Sequence, residues 1–184
     1  MRILDTHLHL VYPERFTYAW LAGAPTLNRR WPVEDYFAES EPLGITRALH
    51  MEVDVAEADI DGETRFVGSV DPRVVGAIAA CRPEHDDFDQ QLERIAAMPH
   101  VRGLRRILHE VPDDLSRTER FPANLRKLAR HDLSFDLCLR ADQLPIGMEL
   151  VDAAPEVQFI LDHCGVPDVE GQALDPWQIG RAHV

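Results

Sequence analysis

The chain has 184 residues, of which 45% are hydrophobic, and a formal net charge of −13. This length and composition predict one large globular domain with a packed core. The acidic balance argues against a nucleic-acid partner and against an anionic membrane surface, because basic faces bind both. No apolar stretch approaches the length of a spanning helix, and no basic, apolar leader opens the chain, so the sequence predicts a cytoplasmic protein.

The cysteine pattern excludes two further classes. Cys81, Cys138 and Cys164 are odd in number and show no C-x-x-C spacing. A disulfide framework and a thiolate zinc site are therefore not indicated. We expect three reduced thiols.

The first element is a strand over Arg2–His7, within MRILDTHLHL. Side chains alternate between the faces of a strand, so Asp5, His7 and His9 are predicted to share one face. Two imidazoles about 6 to 7 Å apart along a strand can bind one divalent ion with modest bending. The alternative is an edge strand with solvated histidines, and the spacing alone leaves both interpretations open.

Short β-rich runs then alternate with helical patterns along the chain. The later predicted strands are Ala48–Val53, Val74–Ala80, Val101–Leu108, Ser134–Leu139 and Val157–His163. The predicted helices are Val33–Glu39, Asp59–Val70, Phe88–Ala97, Pro122–Arg130 and Gln143–Ala153. This alternation predicts an α/β fold with a parallel sheet and right-handed crossovers.

The position of the polar residues favours a (β/α)₈ barrel over an open doubly wound sheet. Polar side chains fall at the carboxyl ends of several strands, where barrel sites are built: Asp5, His7, His9, Glu52, Asp54, Arg105, Arg106, Asp162 and His163. An open sheet would concentrate its chemistry in a glycine-rich turn, and neither G-x-G-x-x-G nor G-x-x-x-x-G-K occurs. The prediction is a partial TIM barrel with about six of the eight strand–helix units.

Five segments together resemble the amidohydrolase-related family of barrel hydrolases, which includes sugar-acid lactonases and pyrone dicarboxylate lactonases. They are DTHLHL, HMEVDVAEADIDGETRFV, RGLRRILHE, FDLCL and LDHCGVPD, and their order and spacing agree over Arg2–Trp177. The resemblance implies a barrel that adds water to a lactone or related cyclic ester. It also implies that a small molecule is the partner.

The resemblance assigns roles to individual residues. His7 and His9 match the first-strand pair that binds a divalent metal, most often zinc, or binds substrate in metal-free members. His163 matches a catalytic and substrate-binding histidine after the sixth strand. Arg105 matches a catalytic and substrate-binding position and would bind a substrate carboxylate or hydroxyl, since a guanidinium holds a carboxylate by two parallel hydrogen bonds. Arg106 is the second choice for that role, and Glu52 is a candidate ligand, base or substrate-binding acid at the second strand end.

The expected function is that of a lactonase acting on a small anionic cyclic ester. A decarboxylase or hydratase of the same superfamily would use the same histidines, and a non-catalytic barrel that binds a ligand is the alternative from another class. The presence of His7, His9, Arg105 and His163 argues against the non-catalytic barrel. His50 and His109 are assigned to surface or supporting positions. The sequence carries no signal for an oligomeric state.

A complete barrel of this class needs about 250 residues and eight strands. Residues 1–177 are therefore predicted to be an incomplete barrel domain, without the eighth-strand aspartate that the family uses in proton transfer. The final heptapeptide QIGRAHV, residues 178–184, resembles the translation of a sequencing adapter and is interpreted as a non-native tail. A native helix start followed by a chance tail is the alternative. We expect the fragment to be inactive by itself.

Overall fold

The computed structural model describes residues 2–171, and the chain divides into two compact units. The first unit contains the residues up to Ala80 together with Arg94–Arg102. The second contains Cys81–Glu93 and the residues from Gly103 onward. The predicted tail at 178–184 and the last residues of the predicted 1–177 domain lie outside the described residues.

Six strands follow one another in chain order in one sheet. They are β1 Ile3–Leu8, β2 Ile45–Met51, β3 Val74–Ala80, β4 Val101–Ile107, β5 Ser134–Cys138 and β6 Phe159–Leu161. In the first unit β1 pairs with β2 and β2 with β3, and in the second unit β4 pairs with β5 and β5 with β6, all in parallel. This order is that of the first six strands of a (β/α)₈ barrel, so the predicted fold class is confirmed.

Helices alternate with these strands, as parallel pairing requires. They are α1 Val33–Ser40, α2 Ile60–Val70, α3 Phe88–Ala96, α4 Arg120–Leu125 and α5 Leu144–Ala153. Within residues 2–171, none of them has both the length and the apolar character needed to cross a membrane.

The core of the first unit lies between α1 and the β1–β2 pair. Along α1, Val33, Phe37 and Ser40 are buried at intervals of four and three residues, which is the spacing of one helix face. Phe37 is in the same buried cluster as Leu8 and Ala48. Burial of a large apolar side chain contributes about 1.5 to 3 kcal/mol, so this stripe fixes α1 against the sheet.

The core of the second unit is built around the phenylalanines of α4, β5 and β6. The ring of Phe135 lies edge-on to Phe121 and to Phe159, with centroids 6.3 and 6.0 Å apart. Edge-to-face contacts at this distance add about 0.5 to 1.5 kcal/mol to the burial itself. Since Phe135 and Phe121 are fully buried, α4 is held on one face of β5, and the alternate residues of β5 are left for the other face.

Element ends differ from the prediction where local geometry overrides the sequence pattern. β2 begins at Ile45 rather than Ala48, and β6 is shorter than the predicted Val157–His163. α4 ends at Leu125, and a 3₁₀ helix over Arg126–His131 continues the predicted helical run. These differences are of the size expected at element ends, where fraying and tight turns compete with regular structure.

Candidate functional site

A β-bulge interrupts β1 immediately before the histidine pair. Asp5 pairs with Ala48 and Leu8 with His50, so three residues of β1 span two residues of β2. Because Ala48 and His50 share a face of β2, Asp5 lies on the same face as Leu8 instead of alternating with it. The prediction that Asp5 shares a face with His7 and His9 is therefore wrong, and the extra residue of the bulge is the physical reason.

Asp5 instead supports the bulge from the helix side. Its carboxylate accepts a hydrogen bond from the Tyr36 hydroxyl of α1 at 2.5 Å and another from the backbone N–H of His7 at 2.9 Å. Burial raises the pKa of Tyr36 to about 12, with a further contribution from the hydrogen bond and charge of Asp5. Tyr36 is thus a proton donor at neutral pH, and it holds Asp5 where the carboxylate fixes the His7 backbone.

His7 and His9 lie together at the end of β1. Their ring centroids are 5.0 Å apart and the rings are nearly perpendicular. The Nδ1 of His9 lies 3.0 Å from the carbonyl oxygen of Met51. A carbonyl oxygen only accepts, so Nδ1 carries the proton and the lone pair of His9 is on Nε2. This is the arrangement by which a backbone carbonyl orients a metal-binding imidazole.

Glu52 is buried at the carboxyl end of β2, and its carboxylate bonds to the backbone of the turn that follows. Its Oε2 accepts a hydrogen bond from the backbone N–H of Asp54 at 2.7 Å. Beside it, His50 Nε2 lies 3.7 Å from Glu63 Oε1 of α2, and both side chains are almost completely buried. Burial raises the pKa of Glu63, with His50 opposing and the charge of Glu52 adding to the increase. His50 is therefore an interior residue, which corresponds to the supporting position and not to the surface position among the two that the sequence left open.

In the second unit, Arg105 forms a buried ion pair. Its Nη1 donates to Asp162 Oδ2 at 3.2 Å, and Asp136 is a second buried carboxyl in the same group. Exposed fractions are only 3% for Arg105, 3% for Asp136 and 4% for Asp162. If both acids were ionised, one buried negative charge would have no positive partner, and such a charge is costly away from water.

Asp136 is the acid in this group whose pKa is raised. Burial, together with the neighbouring charge of Asp162, raises the pKa of Asp136 to about 7 against the opposing charge of Arg105. Near neutral pH, Asp136 therefore holds a proton for much of the time, while Asp162 accepts the hydrogen bond of the guanidinium. A carboxyl group that titrates near neutrality is able to accept or donate a proton.

His163 stands on a turn of left-handed backbone directly after Asp162. The φ angles are 51° at His163, 56° at Cys164, 76° at Gly165 and 44° at Val166. Left-handed residues other than glycine cost about 1 to 2 kcal/mol each, so they persist only where neighbouring structure holds them. The buried Asp162 anchors one end, and Gly165 packs so closely that a β-carbon would lie 2.9 Å from Leu144 Cδ2. The turn leaves His163 exposed.

Arg106 points away from Arg105, as alternation along β4 predicts. Its Nη2 and Nε lie 2.8 and 2.9 Å from Glu84 Oε1, and both side chains are mostly buried. Arg106 is therefore engaged with an acid of its own unit, away from the Arg105 ion pair.

Within each unit, the structure brings together part of the predicted set. His7 and His9 meet in the first unit, and Arg105 is connected through Asp162 to the turn of His163 in the second. Sequence reasoning missed Asp136 and gave Asp162 no role. The pairing of Asp136 with Arg105 across β4 and β5 identifies this acid, and that register comes from the structure and not from the sequence. An acid opposite an arginine in a buried strand indicates a charge pair.

The strand order and the imidazole pair at the end of β1 define the class of protein, a chain that folds as the first six strands of a (β/α)₈ barrel with an H-x-H pair on the first strand. A model of the amidohydrolase family matches residues 4–184, and the chain belongs to that family. A curated relative, an uncharacterised protein of Sinorhizobium fredii, is 27% identical over 200 residues, covering 96% of this chain and 66% of its own length. The chain thus spans just under two thirds of that relative.

Solved structures support the same fold. An amidohydrolase 2 from Bifidobacterium longum subsp. infantis is 26% identical with a TM-score of 0.76, covering 97% of this chain and 67% of its own. An amidohydrolase of Burkholderia multivorans with bound zinc is 19% identical with a TM-score of 0.82, covering 100% and 66%. A probable 2-pyrone-4,6-dicarboxylic acid hydrolase of Acinetobacter baumannii with bound citric acid is 15% identical with a TM-score of 0.76, covering 100% and 67%.

Proposed function

We propose that this chain is part of a hydrolase of the amidohydrolase superfamily that opens a small anionic cyclic ester, a lactone, by addition of water. The observation that carries the proposal is the histidine pair at the end of β1, with His9 in the tautomer that presents Nε2. Family membership supports the reaction class. A structural relative that is a probable pyrone dicarboxylic acid hydrolase supports an anionic lactone as the substrate class.

The donor set fits a divalent ion, which we propose to be zinc, at His7 and His9. Imidazole nitrogen is a preferred zinc ligand, and the Met51 carbonyl on His9 Nδ1 provides the orienting contact that such ligands use. The Burkholderia relative binds zinc. When bound, zinc would polarise the ester carbonyl and lower the pKa of a water molecule. In a metal-free variant of the reaction, His7 and His9 would contact the substrate directly, and His9 Nε2 would accept a hydrogen bond from it.

In the second unit, we propose that His163 contacts the reacting carbonyl and that Arg105 recognises a substrate carboxylate. The exposure of His163 on its left-handed turn supports this role, because a reacting group must be reached. Arg105 already donates to Asp162, so a substrate carboxylate would share or displace that partner. Arg106 and Glu52 remain candidates for substrate contact. To reach a substrate, Arg106 would have to break its ion pair with Glu84, and Glu52 its hydrogen bond with the Asp54 backbone.

We also propose that the proton-transfer aspartate of the family lies outside these six strands and five helices. Asp136, with its pKa near 7, is the described group of the second unit best matched to move a proton at neutral pH. On this proposal, the 184-residue chain by itself hydrolyses lactones poorly or not at all.

The test is hydrolysis of a panel of sugar lactones and pyrone carboxylates, followed with a pH indicator, using the chain and a version extended to eight strands. We expect turnover only from the extended protein, and a loss of several powers of ten in kcat/KM for His7→Ala. His131→Ala, which alters a histidine paired with Glu93 away from the proposed site, is the matched control. Near wild-type turnover of His7→Ala would exclude the role of His7, and release of carbon dioxide without acid formation would indicate a decarboxylase.

A further inference from the structure

In the second unit, a thiol, an imidazole and a carboxylate contact one another in a row, and the proposed hydrolysis uses none of them. Cys138 Sγ lies 3.4 Å from His109 Nδ1. On the opposite side of the ring, His109 Nε2 lies 3.3 Å from Glu110 Oε1. A nucleophile next to a base that is itself oriented by a third group is the arrangement that activates cysteine.

The group is held at the carboxyl ends of two adjacent strands. Cys138 is the last residue of β5, and its carbonyl accepts the backbone N–H of Leu108 at 3.1 Å, which places the following residue, His109, beside it. The carbonyl of His109 in turn accepts a hydrogen bond from Arg140 at 2.5 Å. Cys138 lies two residues beyond Asp136 and so on the same face of β5. This is the strand end at which barrels carry their chemistry.

A thiol reacts as its thiolate, and burial of Cys138 sets the cost of forming that thiolate. Cys138 is 2% exposed, and a thiolate in such surroundings is costly unless an opposite charge accompanies it. His109 Nδ1 lies against the sulfur and Glu110 against the far ring nitrogen, so the imidazole is placed to take the thiol proton and to hold it beside the sulfur. Among the described residues, Arg140 donates to the His109 carbonyl, and Asp113 accepts from Gln143, whose side chain also donates to the Leu108 carbonyl.

We propose that Cys138 and His109 form a nucleophilic thiolate–imidazolium pair, and that Cys138 is a modification site for small uncharged electrophiles such as hydrogen peroxide. Small size follows from the burial of the sulfur, which is approached past the one-third-exposed His109 side chain. This inference stands independently of the proposed lactone hydrolysis.

The reaction with peroxide balances within this group. The Cys138 thiolate attacks one oxygen, an S–O bond forms and the O–O bond breaks. The departing hydroxide takes the proton of the His109 imidazolium and leaves as water. The sulfur is oxidised to a sulfenic acid, peroxide is reduced, and His109 ends neutral.

The first experiment follows thiolate formation in the intact chain by its ultraviolet absorbance during a pH titration, which requires no access to the sulfur. We expect one thiol to titrate about two pH units below the ordinary value of about 8.5, and its signal to vanish in Cys138→Ser. His109→Ala should return it to the ordinary range. Glu110→Gln changes an exposed side chain and should raise it by a smaller amount, so the test holds even if Cys138→Ser folds poorly. His131→Ala is the matched control and should change nothing.

The second experiment treats the chain with hydrogen peroxide near pH 6.5, traps sulfenic acid with a dione, and locates the adduct by peptide mass spectrometry. A thiol pKa lowered by two units gives about fifty times more thiolate and somewhat weaker nucleophilicity, so labelling of Cys138 should be about sixfold faster than in His109→Ala. Buried Cys81 and exposed Cys164 are internal controls for burial and access. Labelling of Cys164 without Cys138, or a Cys138 rate that His109→Ala leaves unchanged, would overturn the proposal.

Discussion

The two units carry their candidate functional groups in opposite environments. In the first unit, His7 is half-buried and His9 is exposed at the end of an irregular strand. In the second unit, Arg105 on β4, Asp136 on β5 and Asp162 directly after β6 are all at least 96% buried. The first set consists of two imidazoles, whereas the second consists of a cation and two acids.

The first set is accessible to a ligand, whereas the buried charges of the second set need partners within the protein. An exposed imidazole exchanges water for a metal ion with little desolvation cost, so changes to the first set should alter binding more than folding. Buried charges have already lost their water, so changes to the second set should alter the free energy of unfolding. The four predictions that follow test this division.

The largest effect is expected from Arg105→Met. This variant leaves Asp162 without its buried partner, and breaking one side of such a pair costs about 3 to 5 kcal/mol. Urea unfolding near pH 8 measures the loss. Arg94→Met, which breaks the half-exposed pair with Asp61, should cost less than about 1 kcal/mol. Equal losses for the two variants would mean that burial does not distinguish the two units.

The second prediction concerns the pH dependence caused by Asp136. Its pKa is about 7 in the folded chain and about 3.8 in the unfolded chain, so the folded state binds more protons between these values. Stability from this group is complete below about pH 4 and is lost as the pH rises towards 7, by up to about 4 kcal/mol. Asp136→Asn should remove this loss, and the difference between the two unfolding profiles isolates it. Parallel profiles would contradict the assignment.

The third prediction is a loss of metal binding without loss of folding. His9→Ala removes a proposed ligand, and we expect zinc affinity to fall at least about 100-fold, since loss of an orienting partner alone costs 10- to 100-fold. Competition with a chromophoric chelator measures the affinity, and circular dichroism checks the fold. His131→Ala should keep the affinity of the parent. Unchanged affinity in His9→Ala would exclude this histidine as a ligand.

The smallest effect is expected from Tyr36→Phe. Loss of the hydrogen bond to the Asp5 carboxylate should cost about 1 to 2 kcal/mol of stability and less than tenfold in zinc affinity, through the His7 backbone that Asp5 holds. Tyr18→Phe, which removes a bond to the Tyr12 N–H in the same unit, should cost stability and leave zinc affinity unchanged. If both variants bind zinc alike, Asp5 does not position His7.

The order of elements and the histidine pair could be predicted because they depend on local spacing. The alternation of strand and helix fixes the order, and H-x-H keeps its two rings on one side whatever precedes it. Asp5 could not be predicted in the same way, since its face depends on how β1 pairs with β2 across a bulge. Its position is a property of two strands together.

The buried acids show the same limit. Asp136 lies in a short apolar run, SFDLC, in which one acid among strand residues has no distinctive pattern. Its significance comes from Arg105 and Asp162, which are 31 and 26 residues away along the chain and meet it only when the strands pair. The sequence could not decide between a surface and a supporting position for His50 for a similar reason, because its burial depends on the packing of Glu63 and α2 over β2.

The left-handed turn after β6 reverses the usual rule for amino-acid tolerance. In most of a fold, replacing a β-branched residue by glycine is harmful, because glycine gains backbone freedom when the chain unfolds. Val166, at a φ of 44°, is in a conformation that a β-branched side chain strongly disfavours. A mutational scan of this segment should therefore enrich glycine and asparagine at position 166 among folded variants. Such enrichment would show that, in this short segment, the left-handed backbone and not side-chain packing determines which amino acids are tolerated.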